Sequence, residues 1–215
     1  MTNAARQAAA NAAIALVEDG MRLGLGTGRA MAFVVAGLAG RRITGVATSA
    51  ATAAQAIALG ITLEDPDHPV DLAIDGADQV ERRTLRLLKG GGGALLREKI
   101  VAETARRLVI VAEDPKLVDH LGQGFPLPVE VVPFGAAATT NRIAALGGAP
   151  TFRPGTTDNG NLILDCPGFA PIRDPFTLER QLRAIAGVVA TGLFLMPVER
   201  ALIGRPDGTV LELRP

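Results

Sequence analysis

At 215 residues, with 22 basic against 22 acidic side chains and 48% hydrophobic residues, the chain has an ordinary globular make-up and room for one main domain with a smaller companion. Balanced charge leaves no basic footprint for a polyanion, and seven Phe without Trp or Tyr offer little to stack bases on, so nucleic acid is not an expected partner. No window reaches the roughly 18 consecutive apolar residues of a membrane span, the lone Cys166 cannot close an internal disulfide, and His68 and His120 lack metal-ligand spacing. The expectation is a cytoplasmic chain with no membrane partner, no metal and no cofactor.

The first twenty residues, Ala-rich and closed by Glu18 and Asp19, read as a first helix and make a poor signal peptide. Met21 to Leu25 is a strand candidate ending in Gly26-Thr27-Gly28, and Ala30 to Leu38 has helical spacing. Arg41 to Ala47 reads as a strand, Ser49 to Leu59 as a helix stopped by Gly60, and Val70 to Ile74 as a strand running into Asp75-Gly76-Ala77-Asp78. After Lys89 and the run Gly90 to Gly93, a helix is expected over about Ala94 to Arg107 and a strand over Leu108 to Ala112. Strands alternating with helices predict a Rossmann-like α/β unit, a mainly parallel sheet with helices on both faces.

Past Phe125-Pro126-Leu127-Pro128 the rhythm changes. A strand (Val129 to Val132), a helix (about Ala136 to Leu146), strands (Thr151 to Arg153, Asn161 to Asp165), a helix (about Thr177 to Ile185) and a strand (Val188 to Phe194) follow. That is the β-α-β-β-α-β order of a smaller, ferredoxin-like α+β unit, with Asp158-Asn159-Gly160 as its hairpin signal. Ala201 to Gly204 and Val210 to Leu213, joined by the Pro206-Asp207-Gly208 turn, are expected to return as a hairpin to the first unit. The domains are thus expected over 1–127 with 198–215, and over 128–197.

Three motifs carry chemistry. Gly24-Leu25-Gly26-Thr27-Gly28 ends a strand and opens a helix, where backbone amides and the positive helix end can hold a phosphate. The third glycine of a dinucleotide fingerprint would fall at Arg29, and the next strand ends in Thr48-Ser49 with no acidic residue for a ribose, so a phosphate monoester fits better. Asp75 and Asp78 stand at the carboxyl edge of an apolar strand; such an Asp-Gly can equally be a plain Asx-turn. In Lys89-Gly90-Gly91-Gly92-Gly93-Ala94-Leu95-Leu96-Arg97-Glu98-Lys99, lysine leads the glycines, so the loop is no Walker A motif, and four glycines in a row imply close approach by a ligand or another segment.

Glu98 shares a helix face with Val101, Ala102 and Ala105, an inward setting that asks for a reason beyond a favourable helix dipole. The chain favours Arg, and Lys89, Lys99 and Lys116 are its only lysines. These parts suit proton abstraction beside a carbonyl: Glu98 as base, Lys89 as donor to the enediolate, and the aspartates handling hydroxyl protons.

GLGTG, DLAIDGAD, LKGGGGALLREKIVA, VAEDPKLVDHLG, FPLPVEVVPF, TDNGNLILD, GVVATGLF and ALIGRPDGTV, in this order along nearly the whole chain, resemble the ribose-5-phosphate isomerase A family. The resemblance implies cofactor-free interconversion of ribose 5-phosphate and ribulose 5-phosphate through an enediol, a step of the non-oxidative pentose phosphate pathway, by a homo-oligomer. It puts the base on Glu98, catalytic groups on Asp75, Asp78 and Lys89, and substrate contacts on Gly26, Thr27, Gly28, the glycines Gly90, Gly91 and Gly92, and Lys116. A basic residue near the N-terminus corresponds to Arg6. The chain departs from the family at Arg29-Ala30, where Ser and then Thr or Ala are usual, and its second hydroxyl loop is thin, leaving Thr48 and Ser49. Rival readings are a non-catalytic sugar-phosphate-sensing domain, usually preceded by a DNA-binding module for which little chain precedes Met21, and an acyl-CoA transferase relative, which would want a glutamyl nucleophile and a longer chain.

Overall fold

The computed structural model describes residues 3–215; Met1 and Thr2, the start of the expected first helix, lie outside the described residues. The largest sheet has seven strands in the order Val210–Leu213, Arg200–Gly204, Leu108–Glu113, Leu72–Gly76, Arg22–Leu25, Thr44–Ala47, Thr62–Leu63. All neighbours pair in parallel except the C-terminal hairpin, whose outer strand is antiparallel.

Both faces of this sheet are covered, which is why its central strands are continuous apolar runs rather than alternating ones. Along Leu108–Glu113, Leu108, Ile110 and Ala112 face one core with Val101 and Ala102 of the helix Leu95–Thr104. Val109 and Val111 face the other, with Ala9 and Ala13 of the helix Asn3–Ile14 and Met31, Val34 and Val35 of the helix Arg29–Gly37. Fully burying one such Leu, Ile or Val contributes about 1.5–3 kcal/mol, and both cores press on the strands that carry the site.

From Arg22–Leu25 the chain moves outward to Thr44–Ala47 and Thr62–Leu63, then returns to place Leu72–Gly76 on the opposite side of the first strand. The crevice between the carboxyl ends of Arg22–Leu25 and Leu72–Gly76 is therefore a topological switch point, where open α/β sheets hold ligands. Gly26 to Gly28 leave one strand end and Asp75 to Asp78 the other.

A second sheet runs Thr151–Phe152, Leu162–Cys166, Leu127–Val131, Val188–Thr191, all antiparallel, with the helices Ala136–Ala145 and Pro175–Arg183 in its connections, which is the ferredoxin-like order. The hairpin signal sits in a longer excursion than a tight turn, 153–161, in which Gly160 N–H donates to the Thr157 carbonyl.

Several expectations need correction. The strand expected over Val188 to Phe194 breaks at Gly192: Val188–Thr191 stays in the small sheet, while Leu193–Phe194 pairs with Leu87–Leu88. The break has a cause, since Gly192 bonds Lys89 N and the Pro128 carbonyl, and a Cβ there would lie 2.3 Å from the Lys89 carbonyl oxygen. This third sheet, Leu193–Phe194, Leu87–Leu88, Gln79–Glu81, Leu117–Val118, was not expected, because strands of two or three residues are too short to show a period. Asp75 lies inside its strand, Leu72–Gly76, rather than beyond it, and the helix expected to reach Arg107 ends at Thr104.

Candidate active site

Leu72–Gly76 is buried along its whole length and ends in a carboxylate. Asp75 Oδ1 accepts from Gly76 N (2.7 Å) and Thr27 N (3.2 Å), which ties the two strand ends of the crevice together. A Cβ at Gly26 would lie 2.0 Å from that oxygen, so the residue opposite Asp75 must be glycine. The same rule holds one loop away: Asp78 Oδ2 accepts from Gly91 N at 2.7 Å, and a Cβ at Gly91 would fall 2.7 Å from Asp78 Oδ1. The close approach expected of the glycine run is thus an approach to the aspartate loop.

At the centre stands Lys89, 3% exposed. Its Nζ is 3.0 Å from Asp75 Oδ2 and 3.2 Å from Glu98 Oε1, and it donates to the Gly76 carbonyl at 2.6 Å. The ammonium thus makes one hydrogen bond and two ion pairs. The Phe194 ring centroid lies 5.4 Å from this ammonium and 5.2 Å from that of Lys99. Glu98, 5% exposed, sits in the first turn of Leu95–Thr104 with Val101 and Ala102 buried on its face, as its spacing predicted.

Two carboxylates around one ammonium set the electrostatics. Burial pushes the Glu98 carboxyl up to about 8, with the Asp75 charge adding to the rise and Lys89 offsetting part of it. Burial also raises Asp75, against the pull of Lys89 and the two backbone amides. For Lys89 burial alone would favour the neutral amine, but Asp75 and Glu98 outweigh it and hold the ammonium above the ordinary lysine range.

A cleft of about 380 Å³ opens over this cluster, walled by Lys89 and Glu98 at its floor, Asp78 and Gly90 to Gly92 on one side, and Thr27, Gly28 and Arg29 at the start of the helix Arg29–Gly37. Its far wall is cationic. Arg6, buried despite its charge, has its Nε 2.6 Å from Glu113 Oε1, and Lys116 Nζ lies 3.5 Å from Glu113 Oε2 while donating to the Ala77 carbonyl. One buried carboxylate thus aligns two cations. Arg29 is exposed and makes no hydrogen bond or ion pair with the other described residues.

The structure brings Asp78, Lys89, Glu98, Thr27, Gly28, Arg29, Gly90 to Gly92, Arg6 and Lys116 to one cleft. Gly26, Thr48 and Asp75 stand behind it. Thr48 Oγ1 lies 2.8 Å from Thr27 Oγ1, and Ser49, at the N-cap of Ala50–Ala58, accepts from the same Thr27 hydroxyl and borders a neighbouring cleft of about 270 Å³. Sequence reasoning missed Glu113, Arg153 and Phe125. Glu113 ends the strand Leu108–Glu113, so the edge rule that singled out Asp75 also reaches it once the strand is extended by one residue. For Arg153, whose partners lie some sixty positions upstream, no local signal exists.

A family model described as ribose 5-phosphate isomerase A (phosphoriboisomerase A) matches residues 44–208. The chain belongs to the ribose 5-phosphate isomerase A family. It is 50% identical to the ribose-5-phosphate isomerase A of Thermomicrobium roseum, over 96% of this chain and 92% of that one. The Roseiflexus protein of the same name is 51% identical, over 97% and 95%. Among solved structures, ribose 5-phosphate isomerase A from Methanocaldococcus jannaschii superposes with a TM-score of 0.92 at 37% identity, covering 98% of both chains. A D-ribose-5-phosphate isomerase in complex with phospho-erythronic acid superposes at 0.93 with 33% identity, again over 98% of both. Likeness to the family thus extends over both the large sheet and the small one.

Proposed function

We propose that the chain interconverts ribose 5-phosphate and ribulose 5-phosphate by proton transfer between C2 and C1, with Glu98 as the base. The observation that carries the roles is the contact of Lys89 with Glu98 at the floor of the cleft. In the open-chain aldose, ionised Glu98 takes the C2 proton. The C–H electron pair becomes the C1=C2 bond, and the carbonyl pair moves onto O1. Glu98 then returns the proton to C1, while the O2 proton leaves as O1 gains one.

Lys89 gives this sequence its charge balance. An ionised Glu98 holds the ammonium in an ion pair, but a Glu98 that has taken the proton is neutral and loosens its hold on a donor. That donor is freed as negative charge develops on O1, which is when it stabilises the transition state rather than the ground state. Asp78, on the cleft wall, is placed to move hydroxyl protons and open the sugar ring; Asp75, behind the wall, acts by fixing Lys89.

In this reading the first unit (1–127 with 198–215) supplies the reacting groups. The phosphate lies at Thr27, Gly28 and the helix start beyond them, a positive end with free amides, faced by Arg6 and Lys116. The second unit (128–197) braces the glycine run. A homodimer in the cytoplasm is the expected setting, in keeping with a free, buried Cys166. The test is ribose 5-phosphate with purified protein in EDTA: ribulose 5-phosphate should form, and should revert when supplied alone. Binding without turnover would favour the sensing-domain reading.

A further inference from the structure

Arg153, in the excursion 153–161 of the small sheet, has no part in the roles above, yet it reaches the glycine run. Its Nη1 donates to the carbonyls of Gly90 (2.7 Å) and Gly91 (3.2 Å), while its Nε and Nη2 pair with the two carboxylate oxygens of Asp165 at 3.0 and 2.5 Å. A guanidinium held fork-on-fork by a carboxylate has a fixed plane and can grip only in one direction. In a trans peptide the carbonyl and the following N–H point opposite ways. Pulling the Gly90 carbonyl toward Arg153 therefore aims the Gly91 N–H the other way, where it meets Asp78 Oδ2 at 2.7 Å. Pulling the Gly91 carbonyl does the same for the Gly92 N–H, which meets no acceptor among the described residues and belongs to a glycine lining the cleft. Glycine has no side chain to hold either plane, and Gly90 sits at φ 109°; inside the run only Gly93 N–H, which donates to the Gly90 carbonyl at 3.1 Å, helps to hold the first plane, and the Gly91 carbonyl has Arg153 as its partner among the described residues.

We propose that Arg153, clamped by Asp165, is a positioning residue for the isomerisation: it sets the peptide planes of the glycine run so that the Gly91 amide holds Asp78 and the Gly92 amide faces an oxygen at the C1–C2 end of the substrate. The inference rests on the isomerase reading. Arg153 bonds Asp165, Gly90 and Gly91 and makes no hydrogen bond or ion pair to Thr27, Gly28 or Arg29 at the phosphate end, so its loss should act first on the glycine run.

The experiment compares kinetics and competitive inhibition in the parent, Arg153→Met, Asp165→Asn and the double variant, using two probes: inorganic phosphate and a four-carbon aldonic acid phosphate. Folded Arg153→Met should lose roughly tenfold to hundredfold in kcat/KM, the range for a misplaced catalytic geometry. It should bind the aldonic acid phosphate at least tenfold more weakly while inorganic phosphate inhibits as in the parent. Asp165→Asn should shift both in the same direction, and the double variant should be no worse than Arg153→Met, as for two residues of one unit. Parent-like kcat/KM in folded Arg153→Met, or equal weakening of both inhibitors, overturns the inference. If Arg153→Met does not fold, Arg153→Lys, whose single ammonium cannot span Asp165 and both carbonyls, must show the same split, and parent-like constants there overturn it too. A parent that makes no ketose is a different result, and removes the isomerase reading before any variant is compared.

Discussion

Lys89 Nζ lies 3.2 Å from Glu98 Oε1, with both side chains about 5% exposed or less, so the proposed base and the cation that would answer its proton transfer are held in contact before any substrate arrives. Asp75, 3.0 Å from the same ammonium, makes the cluster two acids to one base. Burial, with the Asp75 charge adding to it, is the reason Glu98 ionises only near 8.

The first consequence is a pH profile. Only ionised Glu98 can accept the C2 proton, so kcat/KM should rise with pH through an apparent pKa near 8 in the free enzyme. Stability runs the other way. A carboxyl whose folded pKa lies above its unfolded 4.5 contributes fully below that value and loses its contribution as pH rises through about 8. The parent should therefore lose more Tm between pH 5 and pH 9 than Glu98→Gln does, measured by thermal unfolding. Equal losses in the two proteins would mean that Glu98 ionises normally.

Lys89 is the second lever. Lys89→Met leaves two buried carboxyls without their cation, and breaking a buried pair in this way costs about 3–5 kcal/mol, read as a fall in denaturant midpoint. Lys89→Arg keeps the charge but replaces a compact ammonium, which meets Asp75, Glu98 and the Gly76 carbonyl at one point, with a broad planar fork. It should fold, and should lose at least tenfold in kcat. A parent-like Lys89→Arg enzyme would reduce Lys89 to general electrostatics.

How much of this could be read without the structure depended on distance along the chain. Asp75, Asp78, Lys89 and Glu98 are separated by at most 23 positions and fall on a strand end, a glycine run and a helix start, each of which advertises itself locally. Most of the parallel sheet and of the ferredoxin-like unit was legible for the same reason, from their longer elements; the two-residue edge strand Thr62–Leu63 of the large sheet was not. What stayed hidden is pairing between distant segments. The third sheet is made of strands too short for a pattern, Gly192 breaks a run that looks continuous, and Arg153 finds its carbonyls across 62 and 63 residues. Arg6 matched a basic position of the family, but its partner Glu113 lies 107 residues away, so the reason for its burial was invisible.

That pair gives the third prediction. Glu113 holds Arg6 at 2.6 Å and Lys116 at 3.5 Å on the far wall. Glu113→Gln leaves the buried Arg6 uncompensated, at about 3 kcal/mol or more, and unfixes both cations. Tm should fall, and in the folded protein KM for ribose 5-phosphate should rise several-fold with a smaller change in kcat. A variant with lowered Tm but unchanged KM would show that Glu113 serves stability alone.

Arg29 tests the departure from the family. Exposed, without a partner among the described residues and at the helix start on the cleft wall, its guanidinium is free to meet a phosphate where a hydroxyl is usual. Arg29→Ala should weaken binding of ribose 5-phosphate and of inorganic phosphate in parallel, by about 1.5–3 kcal/mol, the range for a hydrogen bond to a charged group. Unchanged affinity for both would make Arg29 a surface residue. Restored affinity in Arg29→Ser would show that a hydroxyl suffices.

The claim that Glu98 moves the proton is tested most directly by following the C2 proton of ribose 5-phosphate in deuterated water, by NMR, with the parent and with Glu98→Gln. The amide keeps the size of the carboxyl and removes its basicity. The account predicts that the parent removes this proton from C2 as it isomerises, by transfer to C1 or by exchange with solvent, and that Glu98→Gln, still folded and still bound by phosphate, removes it about 10²- to 10⁴-fold more slowly. Removal at the parent rate in Glu98→Gln would contradict it and move the base elsewhere in the cleft.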